Sequence, residues 1–157
     1  MKRRLIVLAL MASMALGMAR PAYAMFDKVR FATDLGVAFF AFHHWVYTPY
    51  QQQAFASGAP HRTKALVKGG AALLFTLNRL KAANKIVHNT NDPALMKLGG
   101  MLDGLTSSFS SVGQRMKGGQ FNPADVNSIN SSVDGLTSSA ASSGIKVKDV
   151  PVAIPGS

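Results

Sequence analysis

Apolar residues recur at alternating steps of three and four along the C-terminal half of the chain. The first series follows Asp92-Pro93, a pair typical of a helix N-cap with proline at the first helical position. Its members are Leu95, Leu98, Leu102, Leu105, Phe109, Val112 and Met116. This spacing puts all seven on one face of a single helix, which Gly118-Gly119 is expected to end.

A second series with the same spacing begins after Asn122-Pro123. Its members are Val126, Ile129, Val133, Leu136 and Ala140. The residues between them are mostly Ser, Asn, Asp and Gly, which are weak helix formers, so this helix needs a packing partner. The connection over residues 118–122 is short, and we therefore expect an antiparallel helical hairpin.

The two series share the hexapeptide Asp-Gly-Leu-Thr-Ser-Ser, at residues 103–108 and again at 134–139. The repeat is consistent with a duplicated helix and equally with Ser-rich helical composition. A solenoid needs at least three repeats, so that architecture is not predicted.

A helix from about His61 to Asn89 is predicted ahead of this hairpin. Its stripe is Leu66, Gly70, Leu73, Leu77, Leu80, Asn84 and Val87. Asn84 is the one strongly polar member of the stripe. A polar residue at such a position can fix the register between helices at some cost in stability. The pair Gly69-Gly70 either loosens the helix or lets a neighbour approach closely.

The first helix of the series, from about Asp27 to Tyr47, is apolar on most of its faces. Its main stripe is Phe31, Leu35, Ala38, Phe42 and Trp45. We expect Thr48-Pro49 to end it, because the residue before proline avoids the helical region. At the other end of the chain, Pro151 and Pro155 exclude a central strand. Residues 145–157 are therefore predicted to form an extended strap, either along the helices or loose.

The N-terminus has the order of a secretory signal peptide. Met1-Lys2-Arg3-Arg4 precedes an apolar run from Leu5 to Leu16, and Ala22-Tyr23-Ala24 supplies small residues at the cleavage positions. The run is shorter than the roughly 20 residues that span a bilayer. We expect residues 1–24 to be removed and the protein to be exported to the periplasm, the cell surface or the medium.

These elements predict an all-α protein. The expected architecture is an up-down-up-down bundle of four helices over residues 25–144, followed by the extended tail over 145–157. No segment after the signal peptide is expected to cross a membrane.

Export also changes how the charge is interpreted. Four of the 17 basic residues lie in the signal peptide, so residues 25–157 carry 13 basic and 7 acidic residues, a net charge of +6. Six basic residues lie between residues 62 and 91, where there is no acid. Five of them fall on the side of the second helix away from its stripe, at about 100° per residue: Lys64, Lys68, Arg79, Lys81 and Lys85.

Val67, Leu74 and Phe75 share this candidate basic surface. Lysines interleaved with apolar residues suit an anionic envelope surface, and a protein partner is the other expected occupant. The plainer interpretation is a solvated face whose lysine stems cover apolar surface.

The alternative function is binding of a small ligand, a metal or haem by the aromatic first helix. His43, His44 and His61 would meet near Trp45 and Tyr47 if the first two helices are antiparallel, and histidine is the commonest metal ligand. Adjacent helical residues point about 100° apart, however, so His43 and His44 do not readily share one ion. No Glu-x-x-His or Cys-x-x-Cys-His motif occurs. A cap of histidine and aromatic side chains is therefore preferred, and no metal or cofactor is predicted.

An enzyme is not predicted either. The chain has no Gly-x-Ser-x-Gly, no His-Glu-x-x-His and no phosphate-binding glycine loop, so no catalytic residue is assigned. Nucleic acid is not an expected partner, because the chain is expected to be exported and contains no nucleic-acid-binding motif.

Overall fold

The computed structural model describes residues 25–154, in which the regular secondary structure is all helical and no strand occurs. These described residues form five helices: α1 over residues 25–51, α2 Arg62–Asn89, α3 Pro93–Met96, α4 Gly99–Lys117 and α5 Pro123–Ser142. Residues 145–154 form a strap without regular secondary structure. The predicted all-α class is confirmed, whereas the predicted signal peptide lies outside the described residues.

Helix α1 continues past Pro49, so the predicted end at Thr48-Pro49 is wrong. Residues His43–Tyr47 form a π-helical turn, in which the amide of Thr48 donates to the carbonyl of His43, five residues earlier. This wider turn interrupts the regular hydrogen-bond ladder just before Pro49. The proline then lies in the first turn of the segment Thr48–Gln51, where its missing N–H costs little.

The helix predicted from Asp92-Pro93 to Gly118 is two helices. Asp92 caps α3 as predicted, its carboxylate accepting a hydrogen bond from the amide of Ala94 at 2.9 Å. The chain then tightens, because the amide of Leu98 donates to the carbonyl of Leu95, only three residues earlier. Gly99 and Gly100, both weak helix formers, follow this turn. Every member of the predicted stripe is nevertheless buried.

Helices α4 and α5 pack against each other as the hairpin prediction requires. Asn122 caps α5 by accepting from the amide of Ala124, and the α5 stripe is at most 1% exposed. The repeated hexapeptide occupies the same register in both helices. Thr106 and Thr137, its threonines, each donate to the carbonyl four residues earlier at 2.8 Å.

Gly69 and Gly70 let two different neighbours approach α2. A Cβ on Gly69 would lie 3.0 Å from the carbonyl oxygen of Trp45 in α1. On Gly70 it would lie 2.6 Å from the carbonyl oxygen of Gly113 in α4. Of the two predicted roles for this pair, the close approach is therefore observed.

The strap lies against α1. The amide of Val150 donates to the carbonyl of Gly36 at 2.9 Å, and Ile145 enters the main core. Further along, Val152 and Ile154 pack with Ala41 of α1 and Ala72 of α2 in a second, smaller cluster. Trp45 also packs against this cluster.

Candidate functional site

The candidate basic surface divides into one paired and four unpaired side chains. Arg79 lies 3.3 Å from the carboxylate of Asp34, which is only 6% exposed. Among the described residues, no acid lies within ion-pair distance of the other four, which are Lys64, Lys68, Lys81 and Lys85. Five of the seven acids pair with other basic groups instead, so the positive charge of this surface is left largely uncompensated.

Apolar side chains are exposed between these lysines. Phe75 is 47% and Val67 38% exposed. The ammonium of Lys68 lies 5.9 Å from the ring centre of Trp45, a cation–π distance. Leu74, placed on the same side from the sequence, instead reaches α4, where a Cβ on Gly113 would lie 3.0 Å from it. The surface is thus basic with two exposed apolar residues.

The structure does not gather the three candidate histidines into one metal-binding group. Residues 25–154 contain no cluster of three or more His, Cys, Asp or Glu that could hold a metal ion. His44 is exposed and stacks on Phe40, with ring centres 5.2 Å apart. His61 is also exposed and has a left-handed backbone, with φ of 56°, just before α2.

His43 has a partner that sequence reasoning missed. Its Nδ1 lies 2.7 Å from the carboxylate of Asp149 in the strap, 106 positions away in the chain. Its ring also meets the edge of Tyr47, with centres 6.3 Å apart. No local pattern signals a contact of such long range. The indole Nε1 of Trp45 is buried without a hydrogen-bond partner among the described residues.

A second histidine–aspartate pair, His88 with Asp103, joins α2 to α4. Asp103 accepts hydrogen bonds from the amide of Asn84 at 2.7 Å and from His88 Nε2 at 3.2 Å. Both bonds lower the pKa of the Asp103 carboxyl below its ordinary value, and the bond from Asn84 has the larger effect. Asn84, predicted to fix register, thus does connect the two helices.

One cleft lies where the loop after α1 meets the loop between α4 and α5, and a smaller cleft adjoins it at the α4–α5 loop. The larger, of about 340 Å³, is lined by Tyr50, Gln53, Phe55, Ser57, Arg62 and Phe121, among others. The smaller, of about 230 Å³, shares Phe121 and contains the Arg115–Asp125 ion pair, whose atoms are 2.7 Å apart. Sequence reasoning missed both clefts. The walls of the larger one come from segments about 60 residues apart in the chain.

No protein-family model, curated protein or solved structure matches this chain. Within the described part, no helix is both long and apolar enough to cross a membrane.

Proposed function

We propose that the protein is an exported, non-enzymatic helical protein that associates with an anionic lipid surface of the cell envelope. The binding face is the candidate basic surface of α2. In this proposal α1, α2, α4 and α5 form an up-down-up-down bundle, and α2 presents its outer face to the lipid headgroups.

The observation that carries the proposal is that four lysines without an acidic partner share α2 with the exposed Phe75 and Val67: Lys64, Lys68, Lys81 and Lys85. A lysine whose charge is already neutralised by an acid contributes little to binding an anionic surface. Each free lysine close to such a surface contributes about 1 kcal/mol.

The exposed side chains of Phe75 and Val67 favour lipid over a purely ionic polymer. On helices that lie at a bilayer surface, basic residues contact headgroups while aromatic and aliphatic residues enter the acyl boundary. An anionic polymer offers the charge without this apolar layer.

Co-sedimentation with vesicles tests the proposal. The protein should pellet with vesicles containing phosphatidylglycerol and not with phosphatidylcholine alone, and added salt should weaken binding. Replacing Lys64, Lys68, Lys81 and Lys85 by Gln should lower the partition coefficient by roughly two to three orders of magnitude. Phe75→Ser should lower it further.

The chain offers a control that removes the same charge elsewhere. Lys97, Lys117, Lys146 and Lys148 are exposed, lie off α2 and have no acidic partner among the described residues. Changing these four to Gln should leave most of the binding intact. Equal losses in the two quadruple variants would show that only net charge matters and would defeat the proposal.

A further inference from the structure

The larger cleft has the features of a ligand-binding site, a role beyond association with a surface. It has an aromatic side and a charged side within one concave volume of about 340 Å³. Binding sites for small ligands typically begin near 300 Å³ and combine apolar walls with a few fixed polar groups. We propose that this cleft binds a small aromatic carboxylate, with its carboxylate on Arg62 and its ring against Tyr50 and Phe121.

Arg62 is held in place by the protein. Its Nε donates to the carbonyl of Phe55 at 2.9 Å, and this bond is partly buried. A guanidinium has five N–H donors, so four remain on the two terminal nitrogens. Those nitrogens form the planar pair that binds a carboxylate through two parallel hydrogen bonds.

The charge of Arg62 is not neutralised within the cleft. No acid lines this cleft, and Arg62 has no ion-pair partner among the described residues. The nearest comparison is Arg115 in the adjoining cleft, which is paired with Asp125. A ligand carboxylate would give Arg62 the partner that Arg115 already has.

The aromatic residues of the cleft pack on the buried ring of Phe55. Phe55 is 1% exposed, and its ring centre lies 4.9 Å from that of Phe121. Tyr50 lies 5.9 Å from the same ring. Both Tyr50 and Phe121 are half-buried, which leaves part of each ring free to contact an aromatic ligand.

The loop that carries this wall is ordered in an uncommon backbone conformation. Gln53 and His61 are the non-glycine residues with positive φ among those described, and both belong to the segment between α1 and α2. Backbone hydrogen bonds within the segment, such as Ala56 N to Gln53 O at 3.1 Å, hold it. Strained backbone of this kind concentrates at ligand sites.

An NMR titration of the ¹⁵N-labelled protein with phenylacetate tests the inference. Phenylacetate should shift the amides of Gln53, Ser57 and Phe121 in a saturable way. Phenylacetamide has the same ring without the charge and should bind about tenfold more weakly, as expected for a lost charge-assisted hydrogen bond. Acetate, which lacks the ring, should bind more weakly still.

Arg62→Gln should lower the affinity for phenylacetate about tenfold. Arg30→Gln is the matched control, because Arg30 lies outside the cleft, where its guanidinium is 5.9 Å from the ring centre of Phe26. If Arg62→Gln disturbs the loop, the comparison of phenylacetate with phenylacetamide on the unaltered protein still decides.

Equal binding of the acid and its amide would overturn the inference, as would absence of shifts up to about 10 mM ligand. Shifts along the lysines of α2 would also overturn it, since they would report the surface of the proposed function. None of these three results measures vesicle binding, so the two proposals fail separately.

Discussion

Gly70 of α2 faces Gly113 of α4 so closely that a Cβ on Gly70 would lie 2.6 Å from the Gly113 carbonyl oxygen. The same Cβ would lie 2.5 Å from the amide nitrogen of Lys117. Both neighbours are backbone atoms and cannot move without shifting a helix. The contacts between these two helices are extensive, so the crossing bears on the stability of the domain.

Gly70→Ala should therefore lower the free energy of unfolding by about 1–3 kcal/mol, the usual cost of overpacking. Gly104→Ala is the control, because a Cβ there meets nothing within 4 Å. Alanine is the better helix former, so this change should raise stability by about 0.5–1 kcal/mol. Urea unfolding measures both variants. Two changes of the same sign would contradict the close crossing.

The sequence predicted the inner faces of the helices well, because burial follows local spacing. Leu102 in α4 and Ile129 in α5 are fully buried at positions that the alternating three-four pattern assigns to the core. The caps Asp92 and Asn122 were also predictable, since each side chain bonds an amide two residues later. Each of these interactions is encoded within one turn of its helix.

Interactions between distant segments escaped the same reasoning. Local pattern assigned Arg79 to the outer side of α2 and gave no sign of its partner Asp34, which lies 45 positions earlier. The contact of His43 with Asp149 and the cleft around Phe121 are likewise made by segments far apart in the chain. Pro49 was misjudged for another reason: local preference favours a break before proline, and a π-helical turn accommodates it.

The strap can be tested through the single tryptophan of the chain, Trp45. A Cβ on Gly36 would collide with the Lys148 carbonyl oxygen and lie 2.8 Å from a methyl group of Val150. Gly36→Ala should therefore push the strap away from α1 and increase the exposure of Trp45, which packs against the small cluster that contains Ile154 of the strap. We expect a red shift of tryptophan fluorescence and faster amide exchange at Val150.

Gly100→Ala controls for the added methyl group, since it has no neighbour within 4 Å. It should leave the fluorescence unchanged. An unshifted spectrum in Gly36→Ala, with exchange at Val150 as slow as in the parent, would mean that the strap does not dock as described.

Asp103 should titrate below the ordinary aspartate range in the folded protein. Hydrogen bonds from Asn84, with the larger effect, and from His88 favour its charged form and therefore lower its pKa. A carboxyl with a lowered folded pKa stabilises the fold above the unfolded pKa, about 3.9. That contribution is lost as the pH falls through the lowered value.

The ¹³C chemical shift of the Asp103 carboxyl, followed by NMR, measures this pKa. Asn84→Ala should raise it more than His88→Ala, because the bond from Asn84 has the larger effect. The reverse order of the two variants would contradict the assignment.

The ion pair between Arg79 and Asp34 should stabilise the folded state. Arg79→Gln removes the ionic partner of a carboxylate that is 6% exposed, which should cost about 1–3 kcal/mol. Because the arginine side chain is itself 57% exposed, we expect the lower part of that range. Asp34→Asn introduced into the same variant removes the buried charge and should recover part of the loss, as measured by urea unfolding.

The same pair separates stability from surface binding. The double variant Asp34→Asn/Arg79→Gln keeps the net charge of α2 and its surroundings, so it should pellet with phosphatidylglycerol vesicles like the parent protein. Lys85→Gln removes one unpaired charge and should weaken that binding, while changing stability by less than about 0.5 kcal/mol. If the double variant lost vesicle binding and Lys85→Gln kept it, Arg79 rather than the unpaired lysines would be the contact. The division of the basic surface into paired and unpaired residues would then be wrong as a guide to function.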